Sequence, residues 1–442
     1  MKFLSFKGGI HPPDSKQATE SLSIENAENP PNVIIPLHQH IGAPCQPAVK
    51  VKELVKVGQV IGEAQGFVSA PVHSSVSGEV KEITVRPIGG GRDATCVVIE
   101  SDGHFDIDPA ISPPDEYKTM DSKKIIETIQ KAGIVGMGGA TFPTHVKLSP
   151  PPDKPIDTII INGAECEPYL TADHRLMLEN PEEIVEGLLI IMKALDAKNG
   201  FIGIESNKPD AINTMLEALA NVKNVKVVAL QTKYPQGAEK QLIDACTGRI
   251  VPSGGLPMDV GVVVNNVGTT YQIAHSFKTG MPLIDRITTV TGSCIESPKN
   301  LKVRIGTPVK SLVDQCGGYK ETPGKLLLGG PMMGIAQDTD EIPVNKGTSG
   351  VIVFNENEAI LPDPLNCIRC GKCIEVCPVY LMPLVINENA LKDRMDEAEK
   401  YNAMDCIECG SCAYICPSKI PLLQGIRVAK NSIIAKRRNE KK

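Results

Sequence analysis

From residue 29 to about 105 the apolar positions come as short β-branched runs cut by glycine and proline, as in VKVGQVIGEAQGFVSAPVHSSVSGEVKEITV. Runs of that length between turn residues predict short strands and a small all-β module. Past Asp121 the period changes. ETIQKAG, EEIVEGLLIIMKAL and DAINTMLEALANV carry apolar residues at helical spacing, and strand-sized runs IDTIIIN, GFIGIES and VKVVALQT alternate with them. VGVVVNN follows one further helical patch at 239–245. Such alternation predicts a parallel sheet covered by helices. Between 288 and 350 short strands return around one helix-like piece at 308–315, which predicts a small α+β module. Beyond Asn366 the chain is rich in cysteine, and ENALKDRMDEAEKYNAM within that region is charged and helix-forming, predicting a solvent-facing connector.

Composition narrows the class. At 442 residues the chain exceeds one ordinary core and is expected to divide into three or four domains. A formal charge of −6, no tryptophan and 4% aromatic residues leave neither a basic footprint nor stacking platforms, so no nucleic-acid partner is expected. The opening MKFLSFKGGIHPPDSK lacks the apolar core of a secretory signal, and no stretch has membrane-span length. The closing AKRRNEKK reads as a frayed, solvated tail. Cys45, Cys96, Cys166, Cys246, Cys294 and Cys316 are too scattered for a disulfide framework, and the rest of the thiols need a reducing compartment.

Those remaining eight cysteines form two copies of CxxCxxCxxxCP: Cys367, Cys370, Cys373, Cys377 with Pro378, and Cys406, Cys409, Cys412, Cys416 with Pro417. This is the ligand spacing of two [4Fe–4S] clusters whose fourth ligands are exchanged between runs. The expected sets are Cys367, Cys370, Cys373 with Cys416, and Cys406, Cys409, Cys412 with Cys377. A zinc or disulfide knot accounts poorly for two tandem matches that include both prolines.

Clusters pass single electrons whereas a nicotinamide donor gives a hydride, so a flavin is expected between them. Gly136-Met137-Gly138-Gly139-Ala140-Thr141-Phe142-Pro143 offers glycines that let backbone N–H groups approach a phosphate, with further donors expected at a helix start after Pro143 and Lys147 one turn on. Asn162-Gly163-Ala164-Glu165-Cys166-Glu167-Pro168 ends one strand, Tyr234-Pro235-Gln236-Gly237-Ala238-Glu239-Lys240 precedes a helix, and Asn265-Asn266 ends the VVV strand. Each alone is equally a turn, a cap or a surface acid; together they predict one pocket at the carboxyl ends of a parallel sheet. His38, His40 and Cys45 read as polar surface or interface residues, His145 is given no role, and Cys166 between two acids is no nucleophile.

GMGGATFPTHVK resembles the flavin loop of the NADH-oxidising, FMN-carrying subunit of respiratory complex I, and NGAECEP, YPQGAEKQLI and NNVGT resemble its later motifs. That resemblance implies FMN held by Gly136, Gly138, Gly139, Lys147, Asn162, Glu165, Asn265 and Asn266, with Phe142, Glu167 and Glu239 bordering NAD(H). Hydride then passes ring to ring with no protein acid or base. Met137 stands where the related pattern has arginine, and Ala238 where it has glutamate. Across residues 1 to about 425 the chain is similar to the RnfC family of the Rnf complex, the bacterial ion-translocating ferredoxin:NAD oxidoreductase, through FKGGIHPP, PLHQHIGAPC, GGPMMG and PVNKGTSG.

The resemblance implies a multidomain α/β protein. Its expected parts are an N-terminal arm (1–28), a lipoyl/biotinyl-like barrel-sandwich module (29–110), a Rossmann-like FMN- and NADH-binding α/β domain (111–286), a β-grasp SLBB domain (287–352), a two-cluster bacterial ferredoxin domain (353–425) and a basic tail (426–442). Residues 58–80 hold no lysine for a lipoyl group, so the first module is expected to serve packing. Membrane-embedded and ferredoxin-like Rnf subunits are the implied partners, with peripheral attachment at the cytoplasmic face of the inner membrane. Flavin and iron–sulfur cobalamin reductases share much of this layout, and a docking adaptor without nucleotide turnover is a third alternative.

Overall fold

A computed structural model describes residues 3–440. In the N-terminal module the strands Asn32–Pro36, Asp93–Ser101, Gly78–Pro87 and Leu54–Val55 make one sheet, and Gln46–Pro47, Val60–Glu63 and Val72–His73 make another. Val33, Ile35, Ile61, Val80, Val97 and Ile99 fill the space between them and are fully buried. Alternating inward β-branched side chains thus make a sandwich from strands too short to be stable singly.

The expected parallel sheet is present, with strand order Val225–Leu230, Asn199–Glu205, Thr158–Gly163, Val262–Asn266 and every pairing parallel. Ile159, Ile160 and Ile161 are all fully buried because helices cover both faces, which is why this run shows no alternation. A third unit is a six-stranded mixed sheet ordered Ile24–Asn26, Lys299–Arg304, Asp285–Thr291, Gly350–Asn355, Pro323–Leu328, Ile335–Gln337, with the helix Val309–Gln315 on it. Its first strand comes from the N-terminal arm. That arm also bridges Leu4 to Leu230 and Ile10 to Tyr234 on the flavin-type domain, so it laces two domains together.

The cysteine region corrects two expectations. ENALKDRMDEAEKYNAM does not stand free in solvent: it contributes to the helices Pro383–Leu391 and Met395–Lys400, and buries Ala390 and Ala398 against the helix Leu422–Glu440. The tail expected from 426 is the continuation of that last helix, whose Ile426, Ala429 and Ile433 are buried in the same core. Sparse apolar positions hid the packing face, while the basic end of the helix pairs with the acidic connector, Lys436 with Asp396 at 2.7 Å and Arg437 with Glu399 at 2.5 Å. Residues 441–442 lie outside the described residues. No helix among the described residues is long and apolar enough to cross a membrane.

Candidate redox site

The parallel sheet changes winding direction between Thr158–Gly163 and Val262–Asn266. At such a switch point the loops leave toward opposite faces and a crevice opens at the strands' carboxyl ends. The four predicted segments meet there. Met137 N–H donates to Thr269 Oγ1 at 2.8 Å, and a Cβ on Gly138 would lie 3.3 Å from Asn266 Cβ, so the glycine loop rests on the start of the helix Val267–Thr279. Lys147 Nζ reaches Glu239 Oε1 at 3.1 Å and Val264 O at 3.0 Å. Asn162 Nδ2 donates to Gly237 O at 2.8 Å, and Gly237 N–H donates to Cys166 Sγ at 3.3 Å.

This crevice fits a flavin phosphate and ring in specific places. Gly139 has φ +103° and open space where a Cβ would stand. Among the described residues no protein backbone group accepts from the N–H of Gly138, Gly139 or Ala140, which leaves a run of donors for an anion. Asn265 Nδ2 is buried with no partner, a group that a ligand acceptor can satisfy. The other predicted residues build the walls. Asn266 Oδ1 accepts from Gly268 and Thr269 N–H at 2.8 and 3.3 Å and caps the helix, while its Nδ2 donates to Asp173 Oδ2 at 2.6 Å. Glu165 accepts from the N–H groups of Asp173 and His174 at 2.7 and 3.2 Å. Phe142 O accepts from Gly136 N–H at 2.9 Å and closes the loop. The helix after Pro143 is a single turn, Thr144–Lys147; Thr144 N–H is bonded to Ile134 O at 3.1 Å, and among the described residues the N–H of His145 is the donor of that turn without a protein acceptor.

Glu167 is engaged at a domain boundary. Both its oxygens accept N–H bonds from the β-grasp domain, from Met332 at 3.0 Å and Met333 at 2.9 Å, and burial raises its carboxyl to about 7. It is a latch between domains.

Several structural residues were missed. Lys16 of the arm, 2% exposed, donates to the carbonyls of Glu165 and Glu167 at 3.0 Å each and to that of Leu170. Fully buried Lys208 donates to Ala164 O at 2.7 Å. Two buried ammonium groups therefore fix the loop that follows the central strand. Lys346 Nζ, also fully buried, donates to Pro71 O at 2.9 Å and Gly133 O at 2.7 Å, joining three domains, and burial lowers it to about 8. Nothing in sequence spacing marks a lysine whose carbonyl partners lie some 150 or more residues away. His40 is buried within the N-terminal module, with Nε2 accepting from Ala70 N–H at 3.1 Å, and His145 Nε2 bonds Phe67 O of that module from the flavin domain at 2.9 Å.

The two cysteine motifs share one backbone path. Arg369 and Glu408 have φ +55° and +58°, Gly371 and Gly410 both +77°, and Tyr380 and Lys419 +56° and +52°. This turn aims Arg369 N–H at Cys367 Sγ (3.3 Å) and Glu408 N–H at Cys406 Sγ (3.4 Å). Cys377 joins Cys406, Cys409 and Cys412 around a small apolar pocket also lined by Leu381, Leu423 and Ile426. Burial raises the Cys373 thiol, and the neighbouring Cys416 and Cys370 raise it further. Cys377 thus lies with the other motif's trio and Cys416 neighbours Cys373 of the first motif, the sense of pairing that exchanged cluster ligands need. Cys367 and Cys370 are exposed, whereas Cys377, Cys409 and Cys412 are buried.

A glycine-loop crevice on a parallel sheet, joined through a β-grasp unit to paired four-cysteine loops, defines a multidomain flavin and iron–sulfur oxidoreductase component. Family comparison agrees module by module. Residues 4–104 match the RnfC barrel sandwich hybrid domain, 129–275 the Nuo51 FMN-binding domain, 287–336 the SLBB domain and 359–417 the 4Fe-4S dicluster domain. The chain is 54% identical over 438 residues to the C component of the Na(+)-translocating ferredoxin:NAD(+) oxidoreductase complex of Acetobacterium woodii, covering 99% of each chain. To the corresponding component of the proton-translocating complex of Clostridium ljungdahlii it is 51% identical, over 99% of this chain and 96% of that one. Against the C component of the ion-translocating oxidoreductase complex of Rhodobacter capsulatus the identity is 43%, over 98% and 84%. The chain belongs to the RnfC family of ion-translocating ferredoxin:NAD(+) oxidoreductase components. Its cofactors are accordingly FMN and two [4Fe–4S] clusters, and it works within a multi-subunit complex.

Proposed function

We propose that this chain is the peripheral, NAD(H)-reactive component of its complex, with the cluster on Cys406, Cys409, Cys412 and Cys377 nearer the flavin and the cluster on Cys367, Cys370, Cys373 and Cys416 facing the partner. One observation carries the order: buried Tyr234, beside the crevice, donates from its Oη to Cys409 O at 2.7 Å, while Cys367 and Cys370 lie at the surface. FMN converts a two-electron hydride to single electrons, which the clusters relay.

The residues divide the work. The amides of Gly138 to Ala140 hold the phosphate, Asn265 and Lys147 meet the flavin, and Gly136, Asn162, Glu165 and Asn266 shape the walls. Phe142 and Glu239 border the nicotinamide nucleotide, with Glu239 held by Lys147 at 3.1 Å. Glu167 keeps the β-grasp loop in register. Leu361, Leu365 and Ile368, 77%, 68% and 68% exposed beside the outer cysteines, offer an apolar patch to a ferredoxin-like partner. The working divisions are 29–110, 111–284 and 285–355, the last completed by the arm strand Ile24–Asn26, with a ferredoxin domain beyond 355 that includes the last helix to 440. Relatives of nearly equal identity are named for Na⁺ and for protons, so the coupling ion is a property of the membrane components. Attachment is to the cytoplasmic face, where NAD(H) is found.

The test is an anaerobic titration of the cluster-reconstituted chain with NADH, following flavin absorbance and low-temperature EPR. Flavin bleaching with new cluster signals supports the reading. Bound flavin that never bleaches, with both clusters intact, overturns it in favour of a docking adaptor.

A further inference from the structure

The contact that joins the crevice to the nearer cysteine set is built unlike the rest of the domain boundary. Tyr234 is 1% exposed, and its backbone is held on both sides by the N-terminal arm: Tyr234 N–H donates to Ile10 O at 2.9 Å and Ile10 N–H to Tyr234 O at 2.8 Å. Its ring lies in a small apolar core with Ile10, Cys409, Cys166, Met332, Val376 and Ile415, which come from the arm, the flavin domain, the β-grasp domain and the ferredoxin domain. The phenol oxygen donates to the carbonyl of Cys409 at 2.7 Å. The arm reaches the same cysteine set from the other side, since Gly9 N–H donates to Val376 O at 2.8 Å. Gly8 and Gly9 have φ +88° and +80°, and a Cβ on Gly8 would lie 3.0 Å from Cys377 O while one on Gly9 would lie 2.7 Å from Tyr234 O. Two ligand residues of one set, Cys377 and Cys409, are therefore gripped from outside their own domain. Among the described residues, no hydrogen bond from the flavin domain or the arm reaches Cys367, Cys370, Cys373 or Cys416.

We propose that Tyr234 is a positioning and tuning residue for the cluster nearer the flavin, with the Gly8–Gly9 segment of the arm as its seat. A phenol dipole with its hydrogen toward a ligand residue in a dry, low-dielectric core favours the more negative, reduced state of that cluster and raises its potential. The same hydrogen bond fixes the distance between crevice and cluster. Tyr234 takes no part in redox chemistry itself: it neither gains nor loses an electron, and burial beside Glu167 and Cys166 keeps its proton in place. This inference rests on the cluster order proposed above.

Tyr234→Phe keeps the ring and removes one oxygen, so the chain should retain flavin and both clusters. The decisive readout is a mediator-poised redox titration followed by EPR, which needs no NADH and so stands or falls separately from nucleotide turnover. The expected result is a lower potential for one cluster only, with the other unchanged and with several-fold slower cluster reduction after flavin reduction. The affected cluster is identified by repeating the titration in a Cys370→Ala background, which retains only the nearer one. If neither potential moves in Tyr234→Phe, the tuning role is wrong; if the cluster lost with Cys370 is the one that moves, the cluster order fails instead. Gly8→Val tests the seat: it should slow cluster reduction as Tyr234→Phe does, and an unchanged rate with full iron content would remove the arm from the proposal.

Discussion

The two CxxCxxCxxxCP loops follow the same backbone path to within a few degrees at Arg369 and Glu408, Gly371 and Gly410, and Tyr380 and Lys419, yet they occupy opposite environments. The first exposes Cys367 and Cys370 to solvent; the second is packed beneath Tyr234 and Met332 and shares a cavity with Cys377. Identical local chemistry therefore receives two different dielectric surroundings, and for iron–sulfur clusters burial and hydrogen bonding are what separate potentials. Spacing decides that each loop can hold a cluster. Surroundings decide how deeply each one is buried.

The largest break in that comparison comes from the ligands. Cys370→Ala and Cys409→Ala should each remove about half of the bound iron, but Cys409→Ala should cost about 1–2 kcal/mol more in stability, because Cys409 is a core residue and Cys370 is exposed. Iron analysis with thermal unfolding checks both. Equal losses of stability, or full iron in either variant, would count against the environments assigned.

Glycine substitutions sharpen the contrast next. Gly371→Ala meets nothing within 4 Å, so it carries only the left-handed backbone cost of about 1–2 kcal/mol, whereas Gly410→Ala adds a contact 3.3 Å from Met332 O. The second variant should melt lower than the first, measured by calorimetry on the loaded protein.

Glu167 gives the contrast a pH dependence, since it anchors Met332 over the second loop and, among the described residues, no such carboxylate anchors the first. The folded chain holds the Glu167 proton up to about 7, above the unfolded carboxyl value near 4.3. Stability from this group is therefore fully present below about pH 4.3 and declines as pH rises through about 7, by on the order of 3–4 kcal/mol. Glu167→Gln should flatten that part of the stability profile between pH 5 and 8; an unchanged slope would show that Glu167 titrates normally. The smallest effect belongs to the outer patch. Leu365→Ser, at a side chain 68% exposed, should change stability by less than about 0.5 kcal/mol while slowing electron exchange with the partner.

Much of this is legible in the chain. The parallel sheet declares itself because strands buried on both faces are continuously apolar, as at Ile159–Ile161, and the cysteine spacing announces the dicluster domain. The glycine loop and Asn265 are legible through their pattern, and the crevice brings them together. Less legible are residues whose meaning lies in a distant partner. The resemblance marks Glu167 as a nucleotide-bordering residue, and nothing near it in the chain announces its two backbone-amide partners about 165 residues on. The last helix reads as a tail because of its dense basic residues; its ion pairs with Asp396 and Glu399 make that face favourable only once the chain has folded back.

By itself, the sequence determined what is local: which runs become strands or helices, which loops can cradle a phosphate, and which thiols can share a cluster, because each depends on backbone conformation and spacing over a few residues. Only the tertiary structure decided the unequal burial of the two cysteine loops, the threading of the arm between Cys377 and Tyr234, and the burial of Lys16, Lys208 and Lys346 as clamps on carbonyls. Those depend on desolvation and on hydrogen bonds between groups far apart in the chain, and neither leaves a periodic trace in the order of residues.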